Sequence, residues 1–281
     1  MNVQQKLALG FIKTKLNLLT ALNKKEAGEH AFRLFCTPLA KYIGPESDAF
    51  KNSKRLEFTL NGNTIRGFQT NAPQTNKVLI LHGFSSSLHN FESYIAPLVA
   101  KNYEVLAFDA PAHGRSEGNT IHALDYAEMV KKVIDLYGPI QNFIAHSFGG
   151  IALSLALESI PHDEKMKVVL IAPATETSSA IDNALQMLNM KNEALRKAID
   201  EVILHISGKE TSWFSIRRAV KNLKASVLWF HDEDDDVTPI KDALAVKDDA
   251  HAHVEFVVTT GLGHRRIYRD DAVQQKIFSF F

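Results

Sequence analysis

The chain has 281 residues, of which 45% are hydrophobic and 23% charged, a composition typical of a soluble globular protein with a sizeable core. Its 32 acidic and 32 basic residues cancel, so nucleic acid is not an expected partner. The single cysteine, Cys36, excludes an intrachain disulfide, which favours a reducing compartment and predicts a cytoplasmic location.

The first 50 residues are predicted to be helical and to end in a loop at Gly44-Pro45. Apolar residues recur near the start at helical spacing, with lysines among them: Leu9, Ile12, Leu16 and Leu19. The lysines interrupt the apolar core that a signal peptide needs, and no apolar run reaches the roughly 18–20 residues that span a bilayer. Peripheral contact with a membrane surface fits such a helix, but packing against the main body or a partner chain is the favoured interpretation.

Two kinds of strand pattern follow. Residues 55–60 and 64–70 alternate apolar and polar around Asn61-Gly62-Asn63, which predicts a hairpin. Beyond Pro73 the strands become short, almost wholly apolar runs: 78–81, 105–108, 143–145, 168–171, 227–230 and 254–258. Helical stretches separate or follow them: 94–101, 122–137, 148–160 and 270–280. This alternation predicts a mostly parallel sheet with helices on both faces.

The interval 174–224 has no strand pattern. Helical periodicity appears within it, Gly208 is a candidate helix end, and the interval is too long for a structureless connection. We therefore expect a helical cap over the carboxyl ends of the strands. Four of its residues are candidates for substrate contact, although packing within the cap is an equal alternative: Met187, Met190, Trp213 and Phe214. The predicted organisation is an N-terminal helical extension (1–50), a core (51–173 and 225–281) and the cap (174–224).

Ser147 is the candidate nucleophile. An apolar strand run and an apolar helix run meet at this residue, between small side chains at Ala145 and Gly149. A strand that turns into a helix at one residue strains the backbone there and holds the side chain clear at the start of the helix. The usual pattern is Gly-x-Ser-x-Gly, from which Ala145 departs by one methyl group.

A serine nucleophile needs a base, which in turn needs an acid to orient it. The candidate base is His264, in a loop after the last predicted strand. The acid is expected after the strand 227–230, where chemistry alone does not choose among four aspartates: Asp232, Asp234, Asp235 and Asp236.

Neither a metal nor a cofactor is expected. A calcium loop starting at Asp232 would need glycine and glutamate at its sixth and twelfth positions, where Val237 and Ala243 stand. His251 and His253 are too few ligands for a zinc site.

Four segments carry a resemblance to the α/β-hydrolase superfamily, which extends over nearly all of residues 55–281. They are similar to its His-Gly-x loop, its Asp-x-Pro-Gly-His-Gly-x-Ser signature, its nucleophile elbow and its acid loop: 82–84, 109–116, 145–149 and 231–239. Ala112 and Asp232 each replace a glycine of these patterns. Aligning the acid loop on Pro239 implies that Asp235 is the catalytic acid.

The resemblance implies a doubly wound α/β-hydrolase fold with a cap insertion and an extra N-terminal helical segment. It also implies a Ser147–Asp235–His264 triad, with the backbone amides of Phe84 and Phe148 as the oxyanion hole. His82 and His113 are then expected to organise loops, and His146 to pack beside the elbow.

The expected function is hydrolysis of a carboxylic ester or thioester, with a small-molecule acyl substrate and no cofactor. Several alternatives remain open: an acyltransferase, a perhydrolase, a carbon–carbon hydrolase, a membrane-surface lipase, or a non-catalytic ligand-binding protein with the same fold. The sequence leaves the acyl group and the oligomeric state open.

Overall fold

The computed structural model describes residues 3–39, 41 and 44–281, with side chains from residue 9 onward. Positions 1, 2, 40, 42 and 43 of the predicted N-terminal extension therefore lie outside the described residues. The described residues form two compact units. The helical unit comprises those of Met1–Thr37 together with Glu176–Ser215, and the sheet unit comprises those of Pro38–Thr175 and Ile216–Phe281. The predicted extension and the predicted cap thus contribute to one unit. That this unit caps the sheet stays a prediction.

The sheet unit is built on one eight-stranded sheet with strand order β1-β2-β4-β3-β5-β6-β7-β8. The strands are β1 (Lys54–Leu60), β2 (Asn63–Thr70), β3 (Lys77–Leu81), β4 (Glu104–Phe108), β5 (Asn142–His146), β6 (Lys167–Ile171), β7 (Ser226–Asp232) and β8 (Val254–Thr259). Only β2 runs antiparallel to its neighbours, and all the other pairings are parallel. Every strand predicted from the sequence is present, and the mostly parallel sheet is confirmed.

The described residues of the sheet unit also form helices that precede or follow the strands. They are α3 (Glu92–Ala100), α4 (Ala123–Tyr137), α5 (Phe148–Leu157), α8 (Ile216–Ala219), α9 (Ile240–Asp248), α10 (Gly263–Arg266) and α11 (Asp271–Phe280). The helical unit contains α1 (Val3–Leu22), α2 (Lys24–Phe35), α6 (Thr177–Met187) and α7 (Glu193–Ser207). Short 3-10 helices occupy Asp48–Phe50, Leu88–Phe91, Thr211–Trp213, Val220–Asn222 and Ile267–Arg269.

The central strands are apolar along their whole length because both faces of the sheet are covered. Ile80 and Ile144, paired across β3 and β5, lie in one core cluster with Tyr94. Their neighbours Leu79 and Phe143 alternate to the opposite face and are equally buried. Each such side chain contributes roughly 1.5–3 kcal/mol on burial. A strand buried on two sides cannot alternate with polar residues, which explains the continuous apolar runs.

The parallel strands bring the segments that follow them to one edge of the sheet. The turn after β3, the elbow after β5 and the loops after β7 and β8 all begin at the carboxyl ends of neighbouring strands. Open α/β sheets bind ligands at this edge. The topology therefore gathers the chemistry-bearing segments that the sequence singles out.

The helical unit starts its helices with side-chain caps. Asn23 accepts a hydrogen bond from the amide of Glu26 at the start of α2, and Asn192 accepts one from Leu195 at the start of α7. Gly208 ends α7 in the left-handed conformation with φ of 67°, as predicted. Along the described ranges, no helix combines the length and apolar character required to cross a membrane.

Candidate active site

The backbone at Ser147 is strained in the way the sequence predicts. Ser147 has φ of 53° and ψ of −119° between β5 and α5, a conformation that side-chain-bearing residues rarely adopt. Its amide donates to the carbonyl of Ile171, and its carbonyl accepts from Gly150 and Ala174. Three backbone bonds thus hold the turn and fix where the hydroxyl points.

Small residues let neighbouring backbone approach this turn. A Cβ on Gly149 would lie 2.8 Å from the carbonyl oxygen of Leu81, and one on Gly83 would lie 2.9 Å from the Cβ of Ser147. Ala145 is fully buried within β5, so its extra methyl group is accommodated in the packed sheet.

Ser147, His264 and Asp235 are joined by hydrogen bonds. Nε2 of His264 lies 3.0 Å from Oγ of Ser147, and Nδ1 lies 2.8 Å from Oδ2 of Asp235. Because a carboxylate only accepts, Nδ1–H donates to Asp235, which leaves Nε2 to accept the serine proton. All three side chains are buried. The arrangement is therefore able to move a proton from the serine hydroxyl to the imidazole.

His264 lies in the first turn of α10 rather than in a loop, which corrects the expectation from the sequence. Gly261 and Gly263 have φ of 81° and 60°, and α10 begins at Gly263 itself.

Geometry separates the four candidate aspartates. Only Asp235 is hydrogen-bonded to His264, and the amides of Val237 and Thr238 donate to its other oxygen. Burial alone would raise its pKa, but the hydrogen bond and charge interaction with His264 and the two amide bonds outweigh burial and hold the pKa below its usual range. Asp235 is thus kept ionised beside the imidazole. Asp232 is also buried, but its hydrogen-bond partners do not include His264, and Asp234 and Asp236 are exposed.

Two backbone amides lie next to the serine without an acceptor. Within the described residues, no acceptor is bonded to the amide of Phe84, which follows β3, or to that of Phe148, the first residue of α5. The rings of the two residues pack edge to face with centroids 5.6 Å apart. Two free amides suit a developing negative charge, and that of Phe148 is also at the start of a helix.

His82 and His113 hold the loops around these amides. Nε2 of His82 accepts from the amide of Ala110, and Nε2 of His113 accepts from that of Ser85, the residue after Phe84. Burial lowers the pKa of His82 to about 4 and that of His113 to about 3. Both rings are therefore neutral near pH 7, as acceptors of backbone amides must be.

His146 lies beneath the base. Its ring packs against that of His264 with centroids 4.7 Å apart, and its Nε2 lies 3.1 Å from the carbonyl oxygen of His264. Burial, reinforced by the charge of His264, lowers its pKa to about 3. His146 is thus a neutral packing partner of the base, and neither of its ring nitrogens is hydrogen-bonded to Ser147 Oγ.

Thr238 is a member of this cluster that the sequence analysis missed. Its hydroxyl lies 2.9 Å from Oδ2 of Asp235 and 3.1 Å from Nδ1 of His264. A threonine near a proline is common in loops, so the sequence carries no distinctive signal for it.

The four residues predicted for substrate contact lie in the helical unit. Met187 is 74% exposed, whereas Met190 and Phe214 are buried. Trp213 is half-buried and its ring packs edge to face on Phe214. A role for them in substrate contact stays a prediction. Among the described residues, no three His, Cys, Asp or Glu side chains are grouped to hold a metal ion.

Comparison with known proteins decides the family. A family model described as "Alpha/beta hydrolase family" matches residues 78–275, more than two thirds of the chain. The chain belongs to the α/β-hydrolase family. The resemblance and the fold predicted from the sequence are thereby confirmed.

Curated relatives of this α/β-hydrolase match over part of its length. It is 32% identical to an uncharacterized hydrolase, YugF, of Bacillus subtilis, over 36% of this chain and 38% of that protein. It is 28% identical to a putative esterase/lipase of Mycoplasma pneumoniae, over 37% of this chain and 40% of that protein. The chain thus spans well under half the length of these relatives.

Solved structures share the fold over more of the chain. The esterase Pf2001 of Pyrococcus furiosus aligns with a TM-score of 0.65 at 19% identity, covering 87% of this chain and 97% of the esterase. Est1E of Butyrivibrio proteoclasticus, solved with bound ferulic acid, aligns with a TM-score of 0.65 at 16% identity, covering 80% of this chain and 97% of that one. At these identities the likeness concerns the fold.

Proposed function

We propose that this α/β-hydrolase is a serine hydrolase that cleaves a carboxylic ester or thioester through an acyl-enzyme on Ser147. The observation that carries the proposal is the chain of hydrogen bonds from Ser147 Oγ through the His264 imidazole to Asp235, with distances of 3.0 and 2.8 Å. The putative esterase/lipase of Mycoplasma pneumoniae among the similar proteins supports the same reaction class.

In the acylation step, His264 Nε2 takes the proton of Ser147 while Oγ forms a bond to the acyl carbon. The carbonyl oxygen gains a negative charge, which the amides of Phe84 and Phe148 stabilise. The carbon–oxygen or carbon–sulfur bond then breaks, and the leaving group takes the proton from His264. Asp235 remains ionised throughout and stabilises the imidazolium.

In the deacylation step, His264 takes a proton from water, whose oxygen attacks the acyl carbon. The ester bond to Oγ breaks and Ser147 regains its proton from His264, which releases the carboxylic acid. No cofactor takes part in either step. Contact of Met187, Met190, Trp213 and Phe214 with the acyl group, and a cytoplasmic location, are further parts of this proposal.

The test uses the purified full chain with nitrophenyl esters of increasing acyl length and with the matching thioesters. Ser147→Ala, His264→Ala and Asp235→Asn are each expected to lower kcat by on the order of 10⁴-fold. Ser154→Ala is the matched control, because this serine lies in α5, the helix that follows Ser147, and among the described residues its hydroxyl bonds only to the carbonyl of Gly150.

A fluorophosphonate probe tests the acyl-enzyme without knowledge of the substrate. It is expected to label the wild type and Ser154→Ala but not Ser147→Ala. Full ester turnover by Ser147→Ala would contradict the mechanism. Absence of labelling and of turnover in the wild type would favour the non-catalytic alternative.

A further inference from the structure

Asp232 has a buried carboxylate that accepts four hydrogen bonds. It is the last residue of β7 and its side chain is fully buried. Oδ1 accepts from the amides of Asp234 and Gly263, at 3.0 and 2.8 Å. Oδ2 accepts from the hydroxyl of Thr259 at 2.6 Å and from the amide of Leu262 at 3.1 Å. Each of the four groups that bond to the carboxylate is a hydrogen-bond donor.

These bonds connect the acid loop to the turn that carries the base. Leu262 and Gly263 directly precede His264, and Asp235 follows Asp232 by three residues. Both glycines of this turn, Gly261 and Gly263, have positive φ, a conformation that glycine adopts at little cost. Asp234 also bonds to this turn, since its Oδ2 accepts from the amide of Gly261 at 2.8 Å, but Asp232 holds the amides of the two residues directly before His264.

We propose that Asp232 is a positioning residue of the active site, which holds the turn 261–264 so that His264 reaches Ser147 and Asp235 together. The inference rests on the proposed function, since Asp232 acts only through His264. A displacement of a reacting group by about 1 Å can cost on the order of 10²-fold in rate. The family pattern has glycine at this position, and glycine has no side-chain acceptor for these bonds.

An ionised carboxylate is the group that this environment requires. Burial would raise the pKa of Asp232, but the bonds from Thr259 and from the amides of Gly263, Asp234 and Leu262 outweigh burial and hold it below its usual range. An asparagine at this position has one oxygen and one NH₂ group, and the NH₂ group cannot accept. With NH₂ in place of Oδ2, the hydroxyl of Thr259 can accept from it instead of donating, but the amide of Leu262 loses its acceptor. With NH₂ in place of Oδ1, the amides of Gly263 and Asp234 both lose their acceptor.

The experiment compares Asp232→Asn with Glu233→Gln in the full chain. Glu233 is the matched control because it joins the same two segments through the hydroxyl of Thr260 at 3.0 Å, but it is exposed and bonds to no amide of the turn. We expect Asp232→Asn to lower kcat on nitrophenyl esters by about tenfold to a hundredfold with KM within about twofold of the wild type. Glu233→Gln is expected to keep kcat within about twofold.

Unchanged kcat in folded Asp232→Asn, beside an inactive Ser147→Ala, would overturn the positioning role while leaving the proposed function intact. A raised KM at unchanged kcat, or an equal loss of kcat in Glu233→Gln, would also overturn it. If Asp232→Asn does not fold, Thr259→Val removes one of the four bonds with little change of shape. It is expected to lower kcat by a few fold, and an unchanged kcat would contradict the role.

A spectroscopic measurement keeps the test independent of turnover. The imidazole proton that His264 shares with Asp235 is expected far downfield in the proton NMR spectrum of the wild type and of Glu233→Gln, and to be absent from Asp232→Asn. If the wild type hydrolyses no ester, the proposed function fails, but this signal still decides the positioning role. An unchanged signal in Asp232→Asn would overturn it.

Discussion

The hydroxyl of Thr238 donates a hydrogen bond of 2.9 Å to Oδ2 of Asp235, the same oxygen that accepts from His264. The amide of Thr238 also donates to Oδ1 of Asp235, at 2.8 Å. One residue therefore contacts both oxygens of the carboxylate. The orientation of Asp235 depends on Thr238 as well as on the imidazole.

We predict that Thr238→Val lowers kcat/KM for nitrophenyl esters by about tenfold or somewhat more. A hydrogen bond to a charged group contributes roughly 1.5–3 kcal/mol, and the lost bond leaves Oδ2 with one donor fewer. Thr238→Ser keeps the hydroxyl and serves as the control, with activity close to that of the wild type. Equal rates for the valine and serine variants would show that the hydroxyl does not orient the carboxylate.

The sequence predicts those parts of the site whose signal is local. The elbow at Ser147 is visible because a strand run, a serine and a helix run are contiguous, and small residues flank the turn. The central strands can be predicted because burial of both sheet faces makes them continuous apolar runs, without alternation of apolar and polar residues. Both features depend on neighbours within a few positions.

Other parts depend on contacts between distant segments and leave no such mark. Four aspartates within five residues look alike until one is found beside His264, and alignment on Pro239 was needed to select Asp235. Asp232 appears in sequence only as a departure from a glycine pattern. Its four bonds involve residues up to 31 positions away, which no local pattern records.

Buried neutral histidines predict that the protein loses stability on acidification well above the range of the carboxylates. Burial lowers the pKa of His82 to about 4 and those of His113 and His146 to about 3, from 6.5. Below pH 6.5 the unfolded chain binds protons that the folded chain does not bind. The free energy of unfolding should therefore fall as pH drops from 6.5 toward 4, by up to roughly 1.4 kcal/mol per pH unit for each histidine.

Urea unfolding at several pH values between 7 and 4.5 measures this dependence. His113→Gln removes one titrating ring and should flatten the slope by up to about 1.4 kcal/mol per pH unit, even if stability at pH 7 is lower. Asp232 and Asp235 do not account for the slope in this range. Because their pKa values are lowered, the stability that these carboxylates contribute is lost mainly below pH 3.8. A free energy of unfolding that stays flat from pH 6.5 to 4.5 would contradict the prediction.

We predict that the helical unit does not tolerate a side chain at Gly28. It lies in α2, and a Cβ there would approach the carbonyl oxygen of Ala198 in α7 to 2.6 Å and the Cβ of Ala198 to 2.9 Å. Gly28→Ala must move the two helices apart, at about 1–3 kcal/mol, against a gain of up to roughly 1 kcal/mol in helix propensity. Gly10→Ala in α1 is the matched control, because outside its own helix backbone no described atom lies within 4 Å of its added Cβ, so only the propensity gain applies. Thermal unfolding should therefore show a lower Tm for Gly28→Ala and an equal or higher Tm for Gly10→Ala. Equal shifts in both variants would show that α2 and α7 do not pack at this distance in solution.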